Sequence, residues 1–95
     1  MITVIVERSF EAPATEADLT ALAADAKGCF ELYGVTFLGS LVSADGMRMT
    51  CVYRASDVDS VRTAQRTSGL PYDRIYKGWV FGKTNRLGEL ETGPG

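Results

Sequence analysis

Apolar and polar positions alternate from the first residues of the chain. Ile2, Val4 and Val6 interleave with Thr3, Ile5 and Glu7, and this period of two, rich in β-branched residues, predicts a half-buried strand from Ile2 to Arg8. The period then changes. After Thr15, followed at the third place by Asp18 in the manner of a capping box, Leu19, Leu22, Ala23, Ala26, Phe30 and Tyr33 recur at helical spacing. Gly34 suits the left-handed residue that closes such a helix. Val35 to Ser43 and Met47 to Arg54 read as two further strands, joined at Ser43-Ala44-Asp45-Gly46 by a type I turn with glycine at the bulge position. That turn pairs Ser43 with Met47, Leu41 with Met49, Gly39 with Cys51 and Phe37 with Tyr53.

A second helix follows. Ser56 or Asp57 caps it, Asp57 and Asp59 suit its positive end, and Val58, Val61 and Gln65 mark its inner stripe. Gly69-Leu70-Pro71 stops it, with Leu70 supplying the apolar contact of a Schellman end. A last strand runs from about Arg74 to Phe81. The order strand, helix, strand, strand, helix, strand is the ferredoxin-like βαββαβ arrangement, an α+β fold with a four-stranded antiparallel sheet and two helices on one face. The other sheet face needs cover, and a second copy of the chain is the expected cover, giving a homodimer of the dimeric α+β barrel type. The expected domain is 1–81, with 82–95 as a C-terminal tail.

Composition narrows the function classes. Of 95 residues 45% are hydrophobic and 23% charged, ordinary values for a folded water-soluble domain. Ten basic and twelve acidic residues, interspersed, give a net charge of −2 and no basic stripe, so neither nucleic acid nor a membrane is an expected partner. The opening strand has no basic leader before it, no stretch approaches the roughly 18 apolar residues of a membrane span, and Cys29 and Cys51 are too few for a disulfide scaffold, so a cytoplasmic protein is expected. There is no histidine, which removes the commonest metal ligand and the commonest general base at neutral pH. No phosphate loop, CxxC pair or Ser/His/Asp set is present.

Several short marks, taken in order, resemble a known family. They are Val6-Glu7-Arg8 with Phe10, Gly34-Val35, Ser43-Ala44-Asp45-Gly46, Cys51-Val52-Tyr53 with Ala55, Val61-Arg62, and Gly69-Leu70-Pro71 with Asp73. Their order and spacing resemble the small bacterial ferredoxin-like domains known as DUF4242, which are related to an actinobacterial nickel-binding protein. The resemblance implies a small bacterial binding protein. Two departures stand out: Ala64 where that family's second helix tends to carry a histidine, and Phe37 where a tryptophan is usual. With histidine missing at Ala64, no cofactor is expected, and nickel is left with Cys51 and Glu7 as the only candidate ligands. A thiolate and a carboxylate are an incomplete set.

The candidate site is the open sheet face. If Val4 and Val6 pack under the helices, Glu7 points the other way, where the expected register brings Cys51 and Tyr53. Phe37, Leu41, Met49, Cys51 and Trp79 would line a small-ligand site there, since aromatic and methionine side chains with a few polar groups are the usual lining of such pockets. The same set also suits a dimer interface. Two functions remain open. One is a homodimeric binding protein for a small ligand; the other is a cofactor-independent enzyme, an isomerase, cyclase or monooxygenase-like protein, in which Glu7 and Tyr53 transfer protons. Each residue also has a plainer role: Cys51 as a small buried hydrophobe, Glu7 as a solvated strand carboxylate or an ion-pair partner of Arg8 or Arg54.

Overall fold

The computed structural model describes residues 1–81; the expected tail at 82–95 lies outside the described residues. The elements are β1 (Ile2–Ser9), α1 (Glu16–Leu32), β2 (Thr36–Val42), β3 (Arg48–Ala55), α2 (Val58–Thr67) and β4 (Arg74–Gly78). The strands form one antiparallel sheet in the order β2-β3-β1-β4. This is the expected α+β arrangement. Both helices pack on the same side, because Ala26 and Phe30 of α1 and Val61 and Ala64 of α2 share one buried cluster with Val4, Val6, Cys51, Tyr53 and Ala55.

The helix ends follow from local chemistry. Thr15 Oγ1 accepts the Asp18 amide proton while the Asp18 carboxylate accepts that of Thr15, a reciprocal cap at the start of α1. At its end the Val35 amide reaches the Phe30 carbonyl and the Gly34 amide that of Glu31, the Schellman pattern. The same pattern closes α2, with Leu70 donating to Gln65 and Gly69 to Arg66. Asp57, not Ser56, caps α2, accepting the Ser60 amide at 2.7 Å.

That hydrogen bond holds the Asp57 carboxyl below the usual carboxylate range, and its cap bonds lower Asp18 in the same way. A depressed folded-state value contributes stability that is fully present above the unfolded value of about 4 and is lost as pH falls through the folded one. The urea midpoint is therefore expected to decline as pH drops below about 4, and less steeply in Asp57→Asn, which keeps a capping oxygen without a titrating one. Equal slopes for the two proteins would contradict this account of the cap.

The hairpin departs from the expected register. Ser43 pairs with Arg48, not Met47: its amide donates to the Arg48 carbonyl at 2.9 Å. Phe37 does face Tyr53, but a bulge between Phe37 and Gly39 shifts the rest, so that Gly39 pairs with Val52, Ser40 with Cys51 and Leu41 with Thr50. The last strand is also shorter than expected. The continuous strand stops at Gly78, with Val80 returning only as an isolated bridge, and Trp79 between them is 45% exposed, its ring 6.1 Å from that of Phe81.

Candidate functional site

The register between β1 and β3 decides what lies under the helices. Val4 pairs with Tyr53, Val6 with Cys51 and Arg8 with Met49. Paired residues share a face and alternate residues face oppositely. Since Val4 and Val6 are fully buried beneath the helices, Arg8, Met49, Cys51 and Tyr53 point there too. The open face carries Ile5 and Glu7 of β1, Thr50 and Val52 of β3, and Arg74 and Tyr76 of β4. There Tyr76 donates its hydroxyl proton to Glu7, which pushes the Tyr76 hydroxyl above its ordinary range, and the Arg74 guanidinium stands 5.6 Å over the Tyr76 ring.

The helix side is not filled. A cavity of about 730 Å³ separates α1 from the sheet. Its floor is Arg8, Phe37, Met49, Cys51 and Tyr53, its roof Leu19, Leu22, Ala23, Ala26 and Phe30, and its ends Phe10 and the Gly69-Leu70-Pro71 stop of α2. The roof explains the void. Ala23, Ala24 and Ala26 are among the residues α1 contributes to the lining, and only Ala26 and Phe30 of the whole helix are buried. Leu22, apolar and part of the lining, remains 39% exposed.

A buried cation sits in this apolar wall. Arg8 is 7% exposed, and its Nη2 donates to Gln65 Oε1 at 2.8 Å and to the Tyr53 hydroxyl at 3.3 Å, with Cys51 Sγ at 3.9 Å. Its Nη1 donates to the Pro71 carbonyl at 3.1 Å. Among the described residues no carboxylate pairs with it, and its Nε has no hydrogen-bond partner. Gln65 is fully buried, and its Nε2 is also without an acceptor. Burial pushes the Tyr53 hydroxyl well above its ordinary range, with Cys51 beside it acting in the same direction. At neutral pH Tyr53 is therefore a protonated donor. Cys51 accepts a hydrogen bond from Ser40 Oγ at 3.1 Å, and Tyr53 is braced by Phe30 and Phe37, at ring distances of 5.3 and 5.6 Å.

A family model matches residues 5–77, well over half of the chain, and its description is nickel responsive protein SCO4226-like. The chain belongs to that family. DUF4242 is not the label this match carries. Among solved structures the fold is similar to the crystal structure of SCO4226 from Streptomyces coelicolor A3(2), with a TM-score of 0.75, 11% identity, and coverage of 84% of this chain and 99% of that one. At that identity the likeness is one of fold. No curated protein matches the sequence.

The expected open-face site divides in two. Phe37, Met49, Cys51 and Tyr53 come together, but in the cavity under the helices; Glu7 and Leu41 lie on the opposite face, and Trp79 lies beyond β4. Two pairings are thereby corrected. Glu7 and Tyr53 cannot exchange a proton across the sheet, and Glu7 and Cys51 cannot share a metal ion. The reason is parity: β1 sets Glu7 opposite to Val6, and Val6 is the partner of Cys51. Glu7 does not pair with Arg8 either, its hydrogen bond being to Tyr76. Ala64, at the position of the family-like histidine, is fully buried in the core. Among the described residues no three His, Cys, Asp or Glu side chains converge as a ligand set.

Arg8 and Gln65 are the functional candidates that pattern reading passed over. The signal was present. Val4-x-Val6-x-Arg8 places the arginine on the valine face, and Gln65 occupies the inner stripe of α2. Among the described residues no helix is long and apolar enough to cross a membrane.

Proposed function

We propose that the protein is a small-molecule-binding protein whose ligand occupies the cavity between α1 and the sheet, and that it works as a cytoplasmic homodimer joined through the open sheet face. The cavity carries this reading. Its volume of about 730 Å³ lies in the range of ligand pockets, roughly 300–1,000 Å³, and its walls combine apolar side chains with a few convergent polar groups. A neutral solvatochromic dye is expected to bind saturably, one per chain, with a blue-shifted emission. Ala23→Trp, at a lining position of α1 that is itself exposed, should fill the space and abolish that binding. Unsaturable dye binding, or binding unchanged by the tryptophan, rules the cavity out as the site.

The dimer reading rests on the other face. Leu41 is 76% exposed there, on the same face as half-buried Ile5 and Val52, and no helix of the described residues covers them. Sedimentation velocity is expected to give twice the chain mass for the wild type and the single mass for Leu41→Asp. A monomeric wild type would sink the dimer.

A nickel-related role is the second reading, favoured by the family description. The ligand set this chain offers among its described residues is thin, so binding through it would be weak. Calorimetric titration of untagged protein with nickel decides the point. Affinity no tighter than about millimolar excludes it.

A further inference from the structure

We infer that the ligand of the cavity is an organic monoanion, a carboxylate on an apolar body, with the carboxylate held by Arg8. This rests on the cavity being the ligand site. The charge balance comes first. A guanidinium keeps its charge inside proteins, and a buried charge is ordinarily paired. Yet the ion pairs among the described residues are Lys27 with Glu31 and Arg62 with Asp59, and neither involves Arg8. Lys27 and Glu31 stand at the cavity rim, largely in solvent and 4.0 Å apart, so they offset each other. Among the described residues, the positive charge of Arg8 remains uncompensated.

The hydrogen-bond balance points the same way. Among the described residues the two buried polar atoms left without partners, Arg8 Nε and Gln65 Nε2, are both donors. Gln65 cannot be turned over to relieve this, because its Oε1 is the closest acceptor of Arg8. Tyr53, kept protonated, is another donor by the same guanidinium. What the site lacks is acceptors, and a carboxylate supplies two oxygens in the planar geometry that a guanidinium fits. A phosphate dianion would bring a second negative charge to a wall where, among the described residues, Arg8 is the one cation without a carboxylate partner. Beyond Arg8 the lining turns apolar through Phe10, Leu19, Leu22 and Met49, which suits a hydrocarbon or aromatic body.

The test sets three ligands with one alkyl chain against the full-length wild-type protein by calorimetry: octanoate, 1-octanol and octyl phosphate. Octanoate is expected to bind one per chain and at least about tenfold tighter than octanol, the difference a charged hydrogen bond makes. It should also bind tighter than octyl phosphate. Arg8→Gln should bring octanoate down to the level of octanol measured on the same variant, whereas Arg8→Lys should retain much of the preference. Equal binding of octanoate and octanol overturns the anion proposal while leaving the cavity intact as a site. Preference for octyl phosphate overturns the monocarboxylate. If no alkyl ligand binds but the neutral dye does, the proposal fails alone; if the dye fails too, the cavity reading falls with it. The wild-type comparison stands even if Arg8→Gln does not fold.

Discussion

Gly46→Val is expected to lower the unfolding free energy by about 2–4 kcal/mol, combining the cost of a β-branched residue at positive φ with overpacking against backbone. Gly46 has φ of 73°, a conformation side-chain-bearing residues rarely adopt. Space compounds the strain. A Cβ here would sit 3.0 Å from the Ala14 carbonyl oxygen and 3.1 Å from the Ala14 nitrogen, and backbone cannot swing aside as a side chain can. The turn is fastened to that loop, since the Ala14 amide donates to the Gly46 carbonyl at 2.9 Å and the Phe10 amide to that of Met47 at 2.8 Å. Gly34→Val separates the two costs. Gly34 has a similar φ of 68° but open space around its missing Cβ, so its valine variant should lose only the strain, about 1–2 kcal/mol. Urea midpoints at unchanged m-value provide the comparison. If both variants unfold at the same midpoint, the hairpin is not seated on Pro13 and Ala14.

The hairpin also shows where sequence reading succeeds and where it stops. The periods of the elements, both glycine helix stops and the capping box were legible because each depends on residues within about four positions of one another. Which face of the β2–β3 hairpin turns inward was not. Both its faces are apolar, with Phe37, Met49, Cys51 and Tyr53 against Leu41 and Val52, so alternation alone gives no preference. The choice comes from pairing with β1, where fully buried Val4 and Val6 face Tyr53 and Cys51. A bulge between Phe37 and Gly39 then moves Leu41 to the other side from Met49. Neither is a local property. Arg8 was hidden for a different reason: a charged residue near the end of a strand is ordinarily solvated, and only the fold reveals that it is buried and that no carboxylate of the described residues meets it.

Gln65→Leu is expected to destabilise the protein by about 2–4 kcal/mol, because it takes the 2.8 Å acceptor from a buried guanidinium and leaves that charge without replacement. Adding Arg8→Met should reverse the effect. The double variant removes the charge and both orphaned donors together, and replacing a buried ionic group and its partner with apolar residues of similar size is often neutral or stabilising by about 1–4 kcal/mol. The expected signature is strong non-additivity, measured by denaturant unfolding of the four proteins in a double-mutant cycle. A double variant as unstable as Gln65→Leu would mean that Pro71 and Tyr53 compensate Arg8 well enough even without Gln65. The expected result has a functional edge. A double variant at least as stable as the wild type, yet unable to prefer octanoate to octanol, would mean that the fold has no need of Arg8 and Gln65. Their cost would then belong to the ligand whose oxygens they are waiting to receive.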